Sequence, residues 1–236
     1  MNSELVALSI TAASIGFLHT LFGPDHYLPF VVMSKARQWN TSKTALVTLL
    51  CGIGHIMSSV LLGMLGVIFG IAVMRLKAFE AFRGNLAAWA LIGFGLAYFI
   101  WGMRKAFKMR PHSHIHVHED NKGHSHIHSH HKDHAHLHGQ EGKNITPWIL
   151  FTIFVLGPCE PLIPVLMYPA AKMSLFGMVL VTLIFGAVTI STMLVSVFLL
   201  SRGIKFVPIR SLERYSHALA GATIFLCGAA IQFLGL

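Results

Sequence analysis

Apolar residues fill six long stretches of this chain, roughly Leu5–Met33, Ala45–Val73, Leu86–Met103, Ile145–Met167, Leu175–Leu200 and Ala218–Leu236. A helix needs about 20 mainly apolar residues to cross the hydrocarbon of a bilayer, so each stretch predicts a transmembrane helix. The first is longer than one straight span requires and is interrupted at Gly23-Pro24-Asp25-His26-Tyr27-Leu28-Pro29. The fourth is interrupted in the same way, at Gly157-Pro158-Cys159-Glu160-Pro161-Leu162-Ile163-Pro164. Proline removes a backbone donor and clashes with the preceding turn, so both stretches predict broken helices. At membrane depth such a break persists only where protein or a wet cavity satisfies its freed backbone groups. The polar stretch from Lys105 to Lys143 cannot be embedded.

The two Gly-Pro pairs lie 134 residues apart, and the same offset carries Gly52 onto Gly186, His55 onto Thr189 and Ser58 onto Thr192. With one residue of slippage, Glu80, Gly95 and Gly102 fall on Glu213, Gly228 and Gly235. Stretches one to three therefore repeat as four to six. An odd number of spans per half inserts the second half upside down, the inverted repeat of many secondary transporters. The expected fold is an all-α polytopic membrane protein of six spans, a 3+3 inverted repeat with helices 1 and 4 broken. Residues 1–104 form the first three-helix repeat, 105–144 a disordered cytoplasmic His-rich loop, and 145–236 the second repeat.

Composition agrees with this pattern. The chain is 54% hydrophobic and 11% charged, against about 25% charge in a soluble domain. Its net charge of +9 would suggest nucleic acid in a soluble protein. Here most Lys and Arg sit at the ends of apolar stretches, where they act as topology signals, and no nucleic-acid partner is expected. One side carries Lys35, Arg37, Lys43, the central loop, Arg202, Lys205, Arg210 and Arg214; the other carries Arg75, Lys77, Arg83 and Lys172. The positive-inside rule puts the richer side in the cytoplasm of a multi-pass inner-membrane protein, with both termini outside. Cys51, Cys159 and Cys227 form no CxxC pair and imply no disulfide framework. The start, Met-Asn-Ser-Glu, has no basic n-region, so no cleavable signal peptide is expected.

The central loop holds 12 of the 16 histidines: His112, His114, His116, His118, His124, His126, His128, His130, His131, His134, His136 and His138. Neutral imidazole ligates borderline divalent ions such as Ni²⁺, Co²⁺, Zn²⁺ and Cu²⁺. A dense flexible tract offers many overlapping sites of low specificity, and it lies outside the membrane.

Ionisable groups inside a bilayer are costly, so each is a functional candidate. The first stretch supplies His19, Asp25 and His26, and the second supplies His55. The second break answers with Cys159 and Glu160. Imidazole, thiolate and carboxylate together suit a transition ion better than Mg²⁺ or Ca²⁺, which take oxygen shells. Paired helix breaks in matching halves point to a transporter's substrate site. The expected site is therefore His19, Asp25, His26, His55, Cys159 and Glu160, framed by the breaks at Gly23-Pro24 and Gly157-Pro158. The expected activity is secondary transport of a divalent transition-metal ion. No enzymatic activity and no cofactor beyond the transported ion are expected.

At these residues the chain resembles a known family. His19-Thr-Leu-Phe-Gly-Pro-Asp25-His26 is similar to the His-x5-Asp-His signature of urease-accessory-type membrane proteins related to nickel/cobalt transporters. Gly54-His55 resembles their Gly-His motif, although Ile56 follows where Ser is usual. The resemblance implies metal ligation by His19, Asp25, His26 and His55, with Ni²⁺ or Co²⁺ as the ion and Zn²⁺ as the alternative. The partners it leaves open are a metallochaperone and a second copy of the chain. A nickel-delivery partner for metalloenzyme maturation is an alternative role. Gly157-Pro158-Cys159 also resembles the Gly-Pro-Cys motif of transmembrane thiol-electron carriers with a similar repeat. Those carriers use a cysteine in each half, and here the matching position is Asp25.

Overall fold

Both predicted breaks are present in the computed structural model, which describes residues 3–108, 112–117, 123–128, 145–172, 174–203 and 214–235. Helix α1 (Ser3–Phe22) stops before Gly23, the chain makes a 3-10 turn at Pro24–His26, and α2 (Leu28–Ala36) resumes. Gly23 N–H still reaches His19 O at 3.0 Å, and His26 N–H reaches Gly23 O at 3.0 Å. The break therefore satisfies much of its own backbone, as membrane depth demands. The second break follows α5 (Thr146–Leu156), and α6 (Leu162–Ala171) takes up the chain beyond it. With 11 and 10 residues, at about 1.5 Å rise each, neither piece crosses a bilayer alone.

The remaining helices are α3 (Thr41–Ile68), α4 (Val73–Lys108), α7 (Leu175–Gly203) and α8 (Ser216–Leu234). Asn40 caps α3 by accepting the Lys43 N–H at 2.7 Å, which satisfies one of the four orphan donors of a helix start. Among the described residues five helices, α1, α3, α4, α7 and α8, are long and apolar enough to span a membrane. The protein is thus a polytopic membrane protein whose candidate spans are all helical. Their outer faces are apolar too: Leu46, Leu50, Met57 and Leu61 of α3 and Leu183, Val195 and Leu199 of α7 are exposed, as lipid contact requires.

Two expectations change. The third span starts at Val73 instead of Leu86 and runs 36 residues to Lys108. Lys77, Glu80 and Arg83 interrupt the apolar pattern, yet all three are good helix formers, and Glu80 and Arg83 neutralise each other inside. Arg83 is therefore a buried residue and no marker of an external loop. The polar segment is not wholly irregular either. Residues 105–108 extend α4, and the backbone pairs β1 (His112–Val117) antiparallel with β2 (Gly123–His128), His114 opposite His126. The rest of that segment lies outside the described residues.

The helices close on each other through small residues. Gly95 and Gly102 of α4 face Phe225 and Ala218 of α8, while Gly221 and Gly228 of α8 face Phe99 and Ile92 of α4. A Cβ at Gly228 would sit 2.8 Å from Ile92 N, against backbone. This is the small-residue seam by which membrane helices approach when no hydrophobic effect drives them together. Two apolar clusters fill the interior. Phe30, Met33, Leu150, Phe154 and Ile224 anchor one, and Ala12, Ile56, Leu162, Val181 and Phe185 the other. The first break is followed by residues of one cluster, and the second break places Cys159 in the other.

Candidate membrane-embedded site

The first break brings three imidazoles together. His19 ends α1, His26 closes the 3-10 turn, and His55 projects from α3. The His26 ring lies between the other two, its centroid 4.8 Å from that of His19 and 5.2 Å from that of His55. One ligand nitrogen from each falls within 4.8 Å of the others. His26 and His55 are each 3% exposed, and His19 is half-buried.

Their hydrogen bonds define what is left over. His55 Nδ1 lies 3.2 Å from Phe154 O, and His26 Nδ1 lies 3.2 Å from Gly23 O. Asp25 Oδ1 stands 3.3 Å from the same His26 nitrogen. A carbonyl on Nδ1 selects the tautomer that leaves Nε2 as a lone pair. The Nε2 atoms of His19, His26 and His55 are all buried with no hydrogen-bond partner. Leaving one buried polar atom unpaired costs about 1–3 kcal/mol, so three together make a candidate binding site. Metal–nitrogen bonds of about 2.1 Å would draw the nitrogens to about 3.4 Å apart in a tetrahedral shell.

The glycines permit this crowding. A Cβ on Gly23 would stand 2.6 Å from His26 Nδ1, and one on Gly157 3.2 Å from His55 Nδ1. Gly157 thus brings the second break against the imidazole set. A cavity of about 360 Å³ opens here, lined by His19, Asp25, His26, His55, Gly157 and Pro158 among others.

The second break is held by a polar network that the sequence pattern did not single out. Glu80 is fully buried, with Oε1 2.6 Å from Arg83 Nη1. Arg83 Nη2 donates to Ser58 Oγ at 2.7 Å and to Val155 O at 2.6 Å. Cys159 N–H donates to Glu80 Oε2 at 3.2 Å and to Ser59 Oγ at 3.3 Å. Carbonyls freed at the end of α5 and the amide freed at Cys159 are thereby satisfied. A signal existed: opposite charges three residues apart inside an otherwise apolar run.

His19, Asp25, His26 and His55 thus gather as expected, and Cys159 and Glu160 do not join them. Cys159 is fully buried in the apolar cluster with Ala12, Ile56, Leu162 and Phe185. Pro158 turns the chain so that the thiol faces packing. Glu160 is exposed and lines a neighbouring cavity of about 420 Å³ with His19, Gly84 and Pro158. Cys51, Cys159 and Cys227 are free thiols. Of the loop histidines, His118, His130, His131, His134, His136 and His138 lie outside the described residues.

Broken helices meeting at a cavity that carries His19, Asp25, His26 and His55 define a polytopic membrane protein with a candidate intramembrane site. Residues 27–233 match the family described as cytochrome c biogenesis protein transmembrane region, and the chain belongs to that family. No curated protein and no solved structure matches the chain. The match overturns the expected membership among nickel/cobalt transporters, and with it the expected activity of nickel or cobalt transport. The short His-x5-Asp-His signature is confined to the first break, and the match begins after it, at Tyr27. It covers both His55 and the whole second break with Cys159.

Proposed function

We infer that this protein is a membrane carrier of reducing equivalents, working by thiol–disulfide exchange of the cytochrome c biogenesis type. The observation that supports the reading most is that the family match spans a helix break whose residue after Gly157-Pro158 is a cysteine. Cys159 is the reacting thiol in this account. Its thiolate attacks a disulfide RSSR, forming Cys159–SSR and releasing RS⁻, which takes up the proton that Cys159 gave up. A thiol R′SH then attacks Cys159 Sγ, releasing the second RSH and leaving Cys159 joined to R′ by a disulfide. A further R′SH displaces R′SSR′ and restores Cys159, so that RSSR and 2 R′SH give 2 RSH and R′SSR′. With Asp25 at the matching place in the first break, one thiol does the work that a cysteine pair would share. Burial of Cys159 means that α5 and α6 must shift about Gly157-Pro158 before it reacts. Trapping tests this: a disulfide reagent should leave a mixed-disulfide mass on Cys159, and labelling only Cys51 or Cys227 would refute it.

The finer architecture in this account is the 3+3 inverted repeat. Reciprocal packing supports it, with α1 against α7 and α5 against α3, while α4 pairs with α8. The segment 105–144 faces the cytoplasm of the inner membrane, supported by the basic ends of α2, α4 and α7.

One observation favours a second reading of the site itself. Three buried Nε2 atoms without partners suit a resident borderline transition-metal ion held by His19, His26 and His55, with Asp25 beside His26. Such a site is compatible with redox work and requires no movement of the ion across the membrane. Metal content of the purified protein, measured with and without those histidines, tests it.

A further inference from the structure

The end of the bundle where α2 and α7 stop and α3 begins encloses a separate cavity of about 380 Å³. Lys35 and Arg202 bring positive charge to its lining, and no carboxylate lines it. Neither cation has a carboxylate partner within ion-pair distance among the described residues. Trp39 and Ser201 line the same cavity, and Trp39 Nε1 and Ser201 Oγ are buried without a hydrogen-bond partner. Val31, Val197 and Phe198 form an apolar wall beside them.

The backbone that presents Trp39 is unusual. Gln38 has φ 53°, a left-handed conformation that glycine would adopt at less cost. Trp39 N–H closes the end of α2 onto Ser34 O at 2.9 Å. That closure holds Trp39 in the lining of the cavity.

Two cations, an indole N–H and a hydroxyl, with no acid among them, are donors waiting for an acceptor. Their place at helix ends puts them at headgroup depth in a bilayer, and the apolar wall leads toward the chains. We propose that this cavity binds the phosphate group of an anionic phospholipid. Basic pockets between helices at the cytoplasmic face suit such headgroups. The apolar wall favours a lipid phosphate over free phosphate.

Native mass spectrometry of the full chain in detergent tests this, with phosphatidylglycerol, phosphatidylcholine or inorganic phosphate added in turn. The wild type should retain phosphatidylglycerol selectively. Lys35→Gln with Arg202→Gln should weaken retention about 30-fold, from roughly fivefold per basic residue. Trp39→Phe with Ser201→Ala changes no charge and should still weaken it several-fold. Lys108→Gln, a cation at the same end but off the cavity, should leave retention unchanged. Equal loss from Lys108→Gln, or no loss from Trp39→Phe with Ser201→Ala, would reduce the effect to surface charge and overturn the proposal. Displacement of the lipid by equimolar inorganic phosphate would overturn the choice of lipid.

Discussion

Arg83 on α4 donates a 2.6 Å hydrogen bond to the carbonyl of Val155 in the last turn of α5. A charge deep in one helix thus completes the broken end of another, and Glu80 completes the other side through the Cys159 amide. Burying an ion pair is costly, and such pairs often hold a geometry more than they stabilise it. Here the geometry held is the second break.

Removing both partners should cost less than the two single removals added together. Arg83→Leu leaves Glu80 buried and unpaired, with an expected loss of about 3–5 kcal/mol. Arg83→Leu with Glu80→Gln should lose clearly less than the sum of the single changes. Thermal unfolding in detergent across the double-mutant cycle measures the difference; additive losses would contradict the coupling.

The α4–α8 seam should not tolerate a single methyl group. Gly95→Ala and Gly221→Ala push a Cβ into backbone of the facing helix, which cannot swing aside, so each should cost about 1–3 kcal/mol. Gly93 has open space around it, and Gly93→Ala should be neutral or slightly stabilising. Parallel unfolding curves of the three variants check this.

If the three imidazoles hold a metal, the site should survive without the His-rich segment. A chain lacking 112–138 should keep one tightly bound ion, and His26→Leu or His55→Leu should lose it. Chelation should then lower the unfolding temperature of the wild type. An ion present at 100 times its dissociation constant contributes about 2.7 kcal/mol. Metal analysis after dialysis, read beside the unfolding shift, decides it, and retention of the ion by both leucine variants would refute the site.

The expected orientation is open to labelling. Ser42→Cys and Lys77→Cys are exposed at opposite ends of the α3–α4 pair. An impermeant maleimide added to intact cells should label the cysteine at 77 and spare that at 42. The reverse pattern would invert the topology.

Hydropathy made five spans and both breaks legible, because a Gly-Pro pair in an apolar run has few other readings. The start of α4 was not legible, since Glu80 and Arg83 look like loop charges until their partners are known. His19, Asp25, His26 and His55 were legible as a set because ionisable residues are scarce inside apolar stretches. The direction in which Cys159 points was not. It depends on how Pro158 turns the chain against α3 and α4, a tertiary matter that spacing does not encode. Glu160 failed for the same reason, one residue further round the turn. The metal-transport expectation rested on a short signature at the first break, and a match spanning most of the chain outweighs it.

The most direct test of the central claim is electron transfer across a membrane. Protein would be reconstituted in vesicles enclosing a disulfide-based redox reporter, with an impermeant thiol supplied outside. The account predicts that wild-type protein reduces the reporter, that Cys159→Ser falls to the rate of protein-free vesicles, and that Cys51→Ser and Cys227→Ser keep most of the activity. Undiminished transfer by a correctly folded Cys159→Ser protein, or none by the wild type, would contradict it.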